Sequence, residues 1–310
     1  MTSLICGSLA FDTIMEYDGR FSDALLPDQL HKINVSFLVP TMRREFGGCA
    51  GNIAYTLKLL GGDPLIMATV GQDGAPYFAH LAALDISPRC VRTIEDAYTA
   101  QCFITTDAGQ NQFTAFHPGA MTASHENQVA QAGKLARAIV APDGRDGMLQ
   151  HARDCAELKV PFIFDPGQGM PMFNGEELEH FIDLATWVAV NDYEAELLTS
   201  RTGLSLAQIA ERVEALVVTR GELGAVVHAK GEVIEIACVK ASAVVDPTGC
   251  GDAFRAGMLF GLDQGFDWAT TGRLASLMGA FKIEHQGGQN HKPTLEQIRE
   301  RFFTAFGYHF

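Results

Sequence analysis

The chain has 310 residues, of which 47% are hydrophobic and 19% charged, and its formal net charge is −14. These fractions are ordinary for a folded enzyme and argue against a disordered chain. The length suits one large α/β domain with, at most, a small appendage. The acidic balance excludes general nucleic-acid binding, which needs basic surface. A polyanionic ligand would therefore have to be attracted locally, by helix-start N–H groups and a few basic side chains.

Membrane and secretory features are absent from the sequence pattern. No apolar run reaches the ~18 residues that a membrane span requires, and residues 1–9 have no basic n-region and read as a first core strand. The seven cysteines are an odd number without a C-x-x-C pair. We therefore expect reduced thiols, a cytoplasmic location and no membrane partner.

Short apolar runs alternate with helical stretches along most of the chain. Several runs are apolar on both faces, which is typical of parallel strands buried between helices. Strands are predicted at 3–9, 64–70, 137–141, 161–165, 187–190, 215–219, 225–229 and 232–239. Helices are predicted at 49–60, 75–84, 126–136, 147–158, 176–186, 192–202, 205–214, 251–263, 268–284 and 294–306. This order predicts a doubly wound, mostly parallel α/β sheet flanked by helices.

Two segments, 13–46 and 97–117, interrupt this alternation. In the first, apolar side chains alternate over 33–39; the second predicts two strands around a turn at 107–110. Together they predict a small antiparallel β lid, too small to stand alone, which covers a cleft or pairs with the lid of a second chain in a homodimer. The expected division is a catalytic domain of 1–12, 47–96 and 118–310, and a lid of 13–46 and 97–117.

The run Asp246-Pro247-Thr248-Gly249-Cys250-Gly251-Asp252 is the most informative motif. It follows a strand-like segment, 243–245, and opens a predicted helix. Gly249 and Gly251 let the backbone come close to a ligand, and the N–H groups of a helix start attract an anion. Asp252, in the first turn, lies beside that anion site. The alternative reading is a helix cap after a glycine turn, but the two glycines before the aspartate favour a functional site.

An aspartate at its ordinary pKa of ~3.9 is ionised at neutral pH and is a weak base. A weak base is sufficient for phosphoryl transfer, because the loose transition state lets the attacking hydroxyl lose its proton late. Asp252 therefore has the chemistry expected of a general base in such a reaction.

Residues 246–257 resemble the C-terminal signature of the PfkB/ribokinase family of sugar and nucleoside kinases. The glycine pair Gly47-Gly48 resembles the family's second signature, and further matches occur in family order at 7–12, 191–194 and 219–224. Neither a Walker A sequence nor a Rossmann G-x-G-x-x-G is present. The resemblance implies a Mg·ATP-dependent kinase for a small hydroxyl-bearing metabolite. Asp252 would be the catalytic base, beside an anion-binding loop of Gly249, Cys250 and Gly251.

Within the family, the chain is most similar to the ribokinase-like adenosine kinases of bacteria. The matching segments include 19–21, 26–27, 30–32, 36–39, 118–121 and 165–166. The resemblance implies that Asp12 binds ribose hydroxyls beside Gly47, Gly48 and Asn52. The side chains implied near the base are Ser8, Phe116 and Gln168, and Phe103 is a further candidate for substrate binding. On chemistry alone, any sugar diol satisfies an acceptor such as Asp12 and a mixed donor and acceptor such as Asn52.

One departure from the family pattern lies in the lid. Position 102, where an aromatic residue is expected to stack on the base, is Cys102, and Phe103 follows one residue later. A shift of one residue turns a strand side chain to the other face. Three alternatives stay open: a bulged strand, stacking by Phe116 alone, or a substrate other than adenosine.

The remaining matches concern ATP and its ions. The resemblance implies that Asn191 and Glu194, which share one face of a helix start, help to hold water-coordinated Mg²⁺ and phosphate; a capping pair is the alternative. Arg255 either holds phosphate or pairs with Asp252. The loop 284–289, together with 246–248, is a candidate monovalent-cation (K⁺) site. The other residues implied in ATP binding are Thr219, Arg220, Gly221, Gly224, Thr248, Gly249, Gly251, Gln286 and Gly287.

Three functions remain open from the sequence. The first is an adenosine kinase of purine salvage, which converts adenosine and ATP into AMP and ADP. The second is a kinase for a free sugar or another nucleoside, similar to ribokinase or fructokinase. The third is a non-catalytic nucleoside-binding protein, which the intact Asp252 and its anion loop argue against.

Overall fold

A central sheet with helices on both faces organises the protein, in a computed structural model that describes residues 1–25, 32, 34–109 and 111–310. Among these residues, nine strands form the sheet in the order β13-β12-β11-β10-β9-β8-β1-β4-β5. Their bounds are β1 Thr2–Cys6, β4 Asp63–Gly71, β5 Cys90–Ile94, β8 Arg137–Val140, β9 Phe162–Phe164, β10 Trp187–Asn191, β11 Ala215–Thr219, β12 Ala225–Ala229 and β13 Glu232–Ile236. All neighbours from β11 to β5 are parallel. At the other edge, β12 and β13 continue the sheet antiparallel.

Helices cover the two faces of the sheet, except for the short helix Phe21–Ala24, which packs against the lid. Their bounds are α1 Phe21–Ala24, α2 Cys49–Leu59, α3 Ala75–Ala83, α4 Arg145–Glu157, α5 Gly175–Leu184, α6 Asp192–Thr202, α7 Leu206–Arg212, α8 Cys250–Gln264, α9 Trp268–Ile283 and α10 Leu295–Phe306. Alternate residues of one strand enter opposite cores: Ile5 packs in one cluster, and Leu4 and Cys6 in the other. Burial on both faces explains why these strands read as continuous apolar runs. No helix in the described part of the chain is both long and apolar enough to cross a bilayer.

The lid is a separate four-stranded sheet in the order β3-β2-β6-β7. Its strands are β2 Ala10–Tyr17, β3 Thr41–Gly47, β6 Ala100–Asp107 and β7 Gln112–His117. The predicted hairpin of β6 and β7 is confirmed. The expectation of a wholly antiparallel lid was wrong, because β2 runs parallel to β6.

The alternation at 33–39 does not mark a strand, because residues 34–40 have no strand structure. Phe37 packs instead in an aromatic cluster of the lid, with ring centroids 4.9 Å from Tyr17 and 5.0 Å from Phe21. Aromatic packing within the lid therefore accounts for Phe37, whereas Val35 of the same pattern is exposed. The matching segments 26–27 and 30–31, Ile33 and the turn residue Gln110 lie outside the described residues.

Most predicted helices are confirmed to within two residues at each end, but the helix predicted at 126–136 is wrong. That stretch forms short 3₁₀ turns, Gly119–Glu126 and Val129–Ala132, and ends at Gly133 with φ 73°. The strand-like segment 243–245 was also wrong, since it is irregular and Val244 is 78% exposed. The strands β2, β3 and β5 were not predicted as such, because their periodicity is mixed with polar residues.

Candidate active site

The start of helix α8 forms the centre of the candidate site. Gly249 is its N-cap residue, with φ 78° and ψ 5°, a left-handed conformation that glycine adopts without steric cost. At Gly251 a Cβ atom would meet nothing within 4 Å, so the backbone here faces open space. The Cys250 N–H donates to the Pro247 carbonyl oxygen at 3.2 Å, whereas the N–H groups of Gly249 and Gly251 have no hydrogen-bond partner among the described residues. These two groups are available at the helix start, as an anion site requires.

Asp252 lies in the first turn of α8 and is partly buried. Its carboxylate accepts a 2.8 Å hydrogen bond from Nδ2 of Asn52, in the first turn of α2. The Oδ1 atom of Asn52 accepts in turn from Nε2 of Gln289 at 3.1 Å, and the same nitrogen lies 3.0 Å from the hydroxyl of Tyr77. Burial raises the pKa of Asp252 to about 6, against the lowering effect of the Asn52 hydrogen bond. The carboxylate is therefore still mostly ionised at neutral pH.

Helix α2 begins at a glycine that no other residue could replace without displacement. Gly48 has φ 87°, and a Cβ there would lie 2.5 Å from the carbonyl oxygen of Ser8. The hydroxyl of Ser8 accepts a 3.2 Å hydrogen bond from the Cys49 N–H, so this buried side chain holds the start of α2. The resemblance implied that Ser8 lies near the base of a nucleoside. Its contact with the start of α2 was not predicted.

Asp12 lies on β2, directly against the last residue of β3. A Cβ on Gly47 would lie 2.3 Å from Oδ2 of Asp12, so the glycine leaves room for the carboxylate. Burial, followed by the nearby carboxylates of Asp246 and Glu45, raises the pKa of Asp12 to about 6. The acidic environment favours a ligand that donates hydrogen bonds, such as a diol.

The register of the lid excludes one of the three alternatives raised by Cys102. Asp12 pairs with Glu45 on one side and with Cys102 on the other, and Cys102 pairs with Phe116. Directly paired residues share a face of a sheet, so these four side chains form one row. The register is unbroken over both strand pairs, which excludes a bulge.

Phe103 falls in the next row, beside Thr13 and Ala115, and therefore on the opposite face of the lid from Asp12. The prediction that Phe103 lies with the substrate-binding residues is corrected by this register. Phe116 is the aromatic side chain in the row of Asp12, and it is 48% exposed.

A polar cavity of about 510 Å³ lies beside the start of α8. It contains Asp252, Gly249, Gly251, Asn191 and Glu194, and it extends to Gln168 and Thr219. The structure therefore brings the predicted side chains of β10, α6 and α8 together around one cavity.

Arg255 and Asp165 form a buried ion pair on the wall of this cavity, with Nη2 and Oδ1 3.0 Å apart. Arg255 thus pairs with Asp165 and not with Asp252. Its Nε atom has no hydrogen-bond partner among the described residues. Burial raises the pKa of Asp165, against the lowering effect of Arg255. The pair keeps a guanidinium at the cavity without bringing excess positive charge to the surface.

Asn191 and Glu194 form a reciprocal capping box at the start of α6. Oδ1 of Asn191 accepts from the Glu194 N–H at 2.7 Å, and Oε2 of Glu194 accepts from the Asn191 N–H at 2.8 Å. The capping reading is therefore confirmed, and both residues also line the cavity. Burial, and then Asp165, raise the pKa of Glu194.

These carboxylates fit Mg²⁺, which takes oxygen ligands and usually keeps several waters. The capping box uses Oε2 of Glu194, and Asp165 lies near enough to act on the pKa of that glutamate. Among the described residues, no group of three or more His, Cys, Asp and Glu side chains has the spacing of a metal site. The arrangement suits an ion that arrives with a phosphate ligand and meets one or two carboxylates.

A second cavity, of about 580 Å³, adjoins the first through the shared residues Thr219 and Gly251. Its walls are largely apolar and come from the hairpin after β11, the segment 238–247, α8 and α9. The lining includes Gly221, Gly224, Val239, Val244, Phe254, Ala280 and Ile283. Most of these apolar positions were missed by sequence reasoning, because an apolar residue on a helix reads as core.

Four residues predicted at the ATP site have other contacts and line neither cavity. Arg220 forms an ion pair with Glu235 on β13. The Thr248 N–H donates to Oδ1 of Asp246 at 2.9 Å, and the Gly287 N–H donates to Oδ2 of the same residue at 2.8 Å. Gln286 is exposed next to the lid. None of these four residues lines either cavity, and their assignment to ATP stays a prediction.

Comparison with known proteins agrees with this architecture. A family model described as pfkB family carbohydrate kinase matches residues 12–295. A nucleoside kinase of Methanocaldococcus jannaschii is 32% identical over 271 residues, which are 86% of this chain and 89% of the relative. A nucleoside kinase of Burkholderia thailandensis, solved in complex with inosine, superposes with a TM-score of 0.90 at 56% identity and covers 99% of both chains.

The site geometry and the family match lead to the same assignment. The match extends over both the lid strands and the loop that carries Asp252. The chain belongs to the pfkB family of carbohydrate kinases.

Proposed function

We propose that the protein is an ATP-dependent nucleoside kinase that transfers the γ-phosphate of ATP to the 5′-hydroxyl of adenosine, giving AMP and ADP. The observation that carries this proposal is the position of Asp252. Asp252 lies at the start of α8 and accepts a hydrogen bond from Asn52 of α2, which is assigned to the nucleoside site. It also lines the polar cavity, which adjoins the apolar cavity. A base at the junction of two ligand sites is what transfer between two bound substrates requires.

Asp252 acts as the general base on the 5′-hydroxyl. With a pKa of about 6 it is a better proton acceptor than an exposed aspartate, yet it is ionised at neutral pH. The N–H groups of Gly249 and Gly251 at the helix start stabilise negative charge on the transferring phosphoryl group, while the Cys250 N–H donates to the Pro247 carbonyl oxygen. Arg255 supplies a fixed positive charge at the same cavity.

Nucleoside binding is assigned to the row on the lid and to α2. Asp12 accepts hydrogen bonds from the ribose hydroxyls, and Gly47, Gly48 and Asn52 shape the floor beneath it. Phe116 offers an aromatic face to the base, and Gln168 is an amide available to its edge. The small Cys102 beside Asp12 leaves space in place of a second aromatic ring.

The base of ATP is assigned to the apolar cavity, and its phosphates to the part of the polar cavity beside Thr219 and Gly251. The apolar cavity has the size and lining for a purine base, and the shared Thr219 and Gly251 mark the path of its phosphates. Glu194 and Asn191 would hold Mg²⁺, which when bound neutralises phosphate charge.

Structures of a relative support a second phosphoryl acceptor, inosine. The Burkholderia thailandensis relative was solved with inosine and also with ADP and inosine, the latter at 58% identity. Asp12 and Asn52 are assigned to contacts with the sugar and not with the base. We therefore propose that inosine is phosphorylated as well as adenosine. A free sugar would lose the contact with Phe116, which places ribose and fructose behind nucleosides.

The test is a turnover panel of adenosine, inosine, other nucleosides, ribose and fructose, each with ATP and Mg²⁺. ADP formation measures the rate, and phosphorus NMR of the product locates the phosphate. The proposal predicts 5′-phosphorylation of adenosine and a lower rate with free sugars. Tight adenosine binding by calorimetry without any product would instead support a non-catalytic binding protein.

We also propose a homodimer that forms through the lids, in the cytoplasm. The lid face opposite Asp12 carries Phe103, Phe113 and Met42, which are 40%, 50% and 70% exposed. Such an apolar patch favours burial against a second copy. The seven cysteines are free, as in a reducing compartment. Light scattering that gives the mass of one chain at micromolar concentration would refute the dimer.

A further inference from the structure

Lys282 has an unusual environment for a lysine. It lies in the last turn of α9, and its side chain is fully buried. Lysine is almost never fully buried unless its charge is compensated. The Nζ atom donates to the backbone carbonyl oxygens of Asp246 and His285, each at 2.9 Å. The ammonium group thus bridges the loop before α8 to the loop after α9.

These two loops are the segments in which the family resemblance implies a monovalent-cation site, 246–248 and 284–289. Backbone carbonyl oxygens are the ligands that such a cation would use. Here two of them already face the ammonium of Lys282. A second cation at the same oxygens would meet a like charge at short range. The donor set therefore does not fit K⁺ at this position.

The charges around Lys282 match one built-in cation. Burial lowers the pKa of Lys282, and the nearby carboxylates of Asp246 and Asp252 oppose that effect. Cys250 also lies nearby, but burial raises the pKa of its thiol to about 11, so it is neutral. His285 and His291 face the same region, and burial, followed by the charge of Lys282, lowers the pKa of His291 to about 3. His291 is therefore neutral and does not compete for the carbonyl oxygens.

Lys282 is connected to the catalytic loop by direct contacts. Its Cε atom lies 3.7 Å from where a Cβ on Gly249 would stand. The N–H groups of Thr248 and Gly287 donate hydrogen bonds to the carboxylate of Asp246, and Lys282 donates to the carbonyl oxygen of the same residue. A displacement of Asp246 would therefore also move Gly249 and the N–H groups at the start of α8.

We propose that Lys282 replaces the monovalent cation of this fold as a built-in positive charge, which positions the loop 246–251 and makes the protein independent of K⁺. Lys282 is a positioning residue, since it acts through the loop and reaches neither substrate. The catalytic part of this proposal rests on the proposed kinase function, whereas the stability part does not.

The first experiment compares the wild-type protein in potassium, sodium and choline chloride at equal ionic strength. The proposal predicts that kcat and KM agree to within about twofold, and that the melting temperature is the same in all three salts. A tenfold rise of kcat in potassium, or a potassium-specific rise in the melting temperature, would overturn it. The melting temperatures decide the question even if no nucleoside is phosphorylated.

The second experiment uses Lys282→Met, which keeps the length of the side chain and removes its charge. We expect kcat to fall at least tenfold in choline and to recover in a saturable manner with potassium or ammonium, with a parallel recovery of the melting temperature. Lys58→Met is the matched control, because Lys58 forms a surface ion pair with Asp85 and is distant in sequence from these loops. The activity of the Lys58→Met variant should not depend on which salt is present. Full activity of Lys282→Met in choline contradicts the proposal. If that variant does not fold, the wild-type salt comparison stands alone as the test.

Discussion

The side-chain amide of Asn52 donates a 2.8 Å hydrogen bond to the carboxylate of Asp252, which is 200 residues away along the chain. This bond joins the first turns of α2 and α8. It occupies Oδ2 of Asp252, and Oδ1 is assigned to the substrate hydroxyl in the proposed mechanism. Burial raises the pKa of Asp252, and the hydrogen bond from Asn52 opposes this effect by lowering it.

The first prediction concerns the pH profile. A general base must be ionised, so kcat/KM should fall as the pH drops through about 6, the pKa of Asp252. The variant Asn52→Ala removes a hydrogen bond to the ionised form, which raises the pKa and should move this acidic limb to higher pH. The measurement is a pH–rate profile of both proteins.

Asn174→Ala is the control for this shift. Asn174 is the N-cap of α5 and bonds to Glu177, outside the candidate site. Loss of this cap should lower the melting temperature and leave the acidic limb in place. An acidic limb that does not move in Asn52→Ala would contradict the role of this hydrogen bond.

The second prediction concerns Gly47. A Cβ at this position would lie 2.3 Å from Oδ2 of Asp12, so Gly47→Ala must displace the carboxylate. Since one hydrogen bond to a charged group contributes about 1.5–3 kcal/mol, the nucleoside KM should rise at least tenfold. The KM for ATP and the melting temperature serve as internal controls and should change little. An unchanged nucleoside KM would remove Asp12 from the sugar site.

The third prediction concerns the apolar cavity. Gly279 lines it from α9, and a Cβ there would meet only the Cys250 carbonyl oxygen, at 3.8 Å. Gly279→Leu should fill the cavity and raise the KM for ATP at least tenfold, without a change in adenosine affinity measured by calorimetry. Gly279→Ala is the matched control, because it fits the space and improves helix propensity by about 1 kcal/mol. Equal ATP KM values in both variants would place ATP elsewhere.

The fourth prediction concerns the stability of the fold at alkaline pH. Asp143 is buried, and its Oδ2 atom has no hydrogen-bond partner among the described residues. Burial raises its pKa to about 8. The folded state therefore favours the protonated form, and stability is lost as the pH rises from about 4, the pKa of the unfolded chain, to about 8.

Asp143→Asn keeps the shape of the side chain and removes the titration. Its melting temperature should exceed that of the wild type at pH 8, and the difference should narrow as the pH is lowered to 5. Thermal denaturation over this range is the measurement. A difference that does not depend on pH would show that Asp143 is not the titrating group.

The main sheet and its helices could be predicted from the sequence because both are encoded locally. Strands such as Trp187–Asn191 are apolar on both faces, and helices such as Asp192–Thr202 begin with a capping box. The lid was harder. Its strands mix polar and apolar residues, and the apolar alternation at 33–39 is misleading, because residues 34–40 form no strand and Phe37 packs on other aromatic rings.

At the site, the residues of glycine motifs were easier to predict than their partners. Gly48 and Gly249 have positive φ angles that require glycine, so the sequence marks them directly. The pairing of Arg255 with Asp165, 90 residues earlier, and the face on which Phe103 lies depend on tertiary register, which no local pattern encodes. The buried position of Lys282 was missed for the same reason.

The most direct test of the central claim is the turnover of Asp252→Asn with adenosine and ATP. The amide keeps the shape of the side chain but cannot accept the proton of the 5′-hydroxyl. We predict that kcat falls by a factor of about 10² to 10⁴, while calorimetric adenosine affinity stays within a few-fold of the wild type. A variant that binds adenosine and turns over at a near-normal rate would contradict Asp252 as the base.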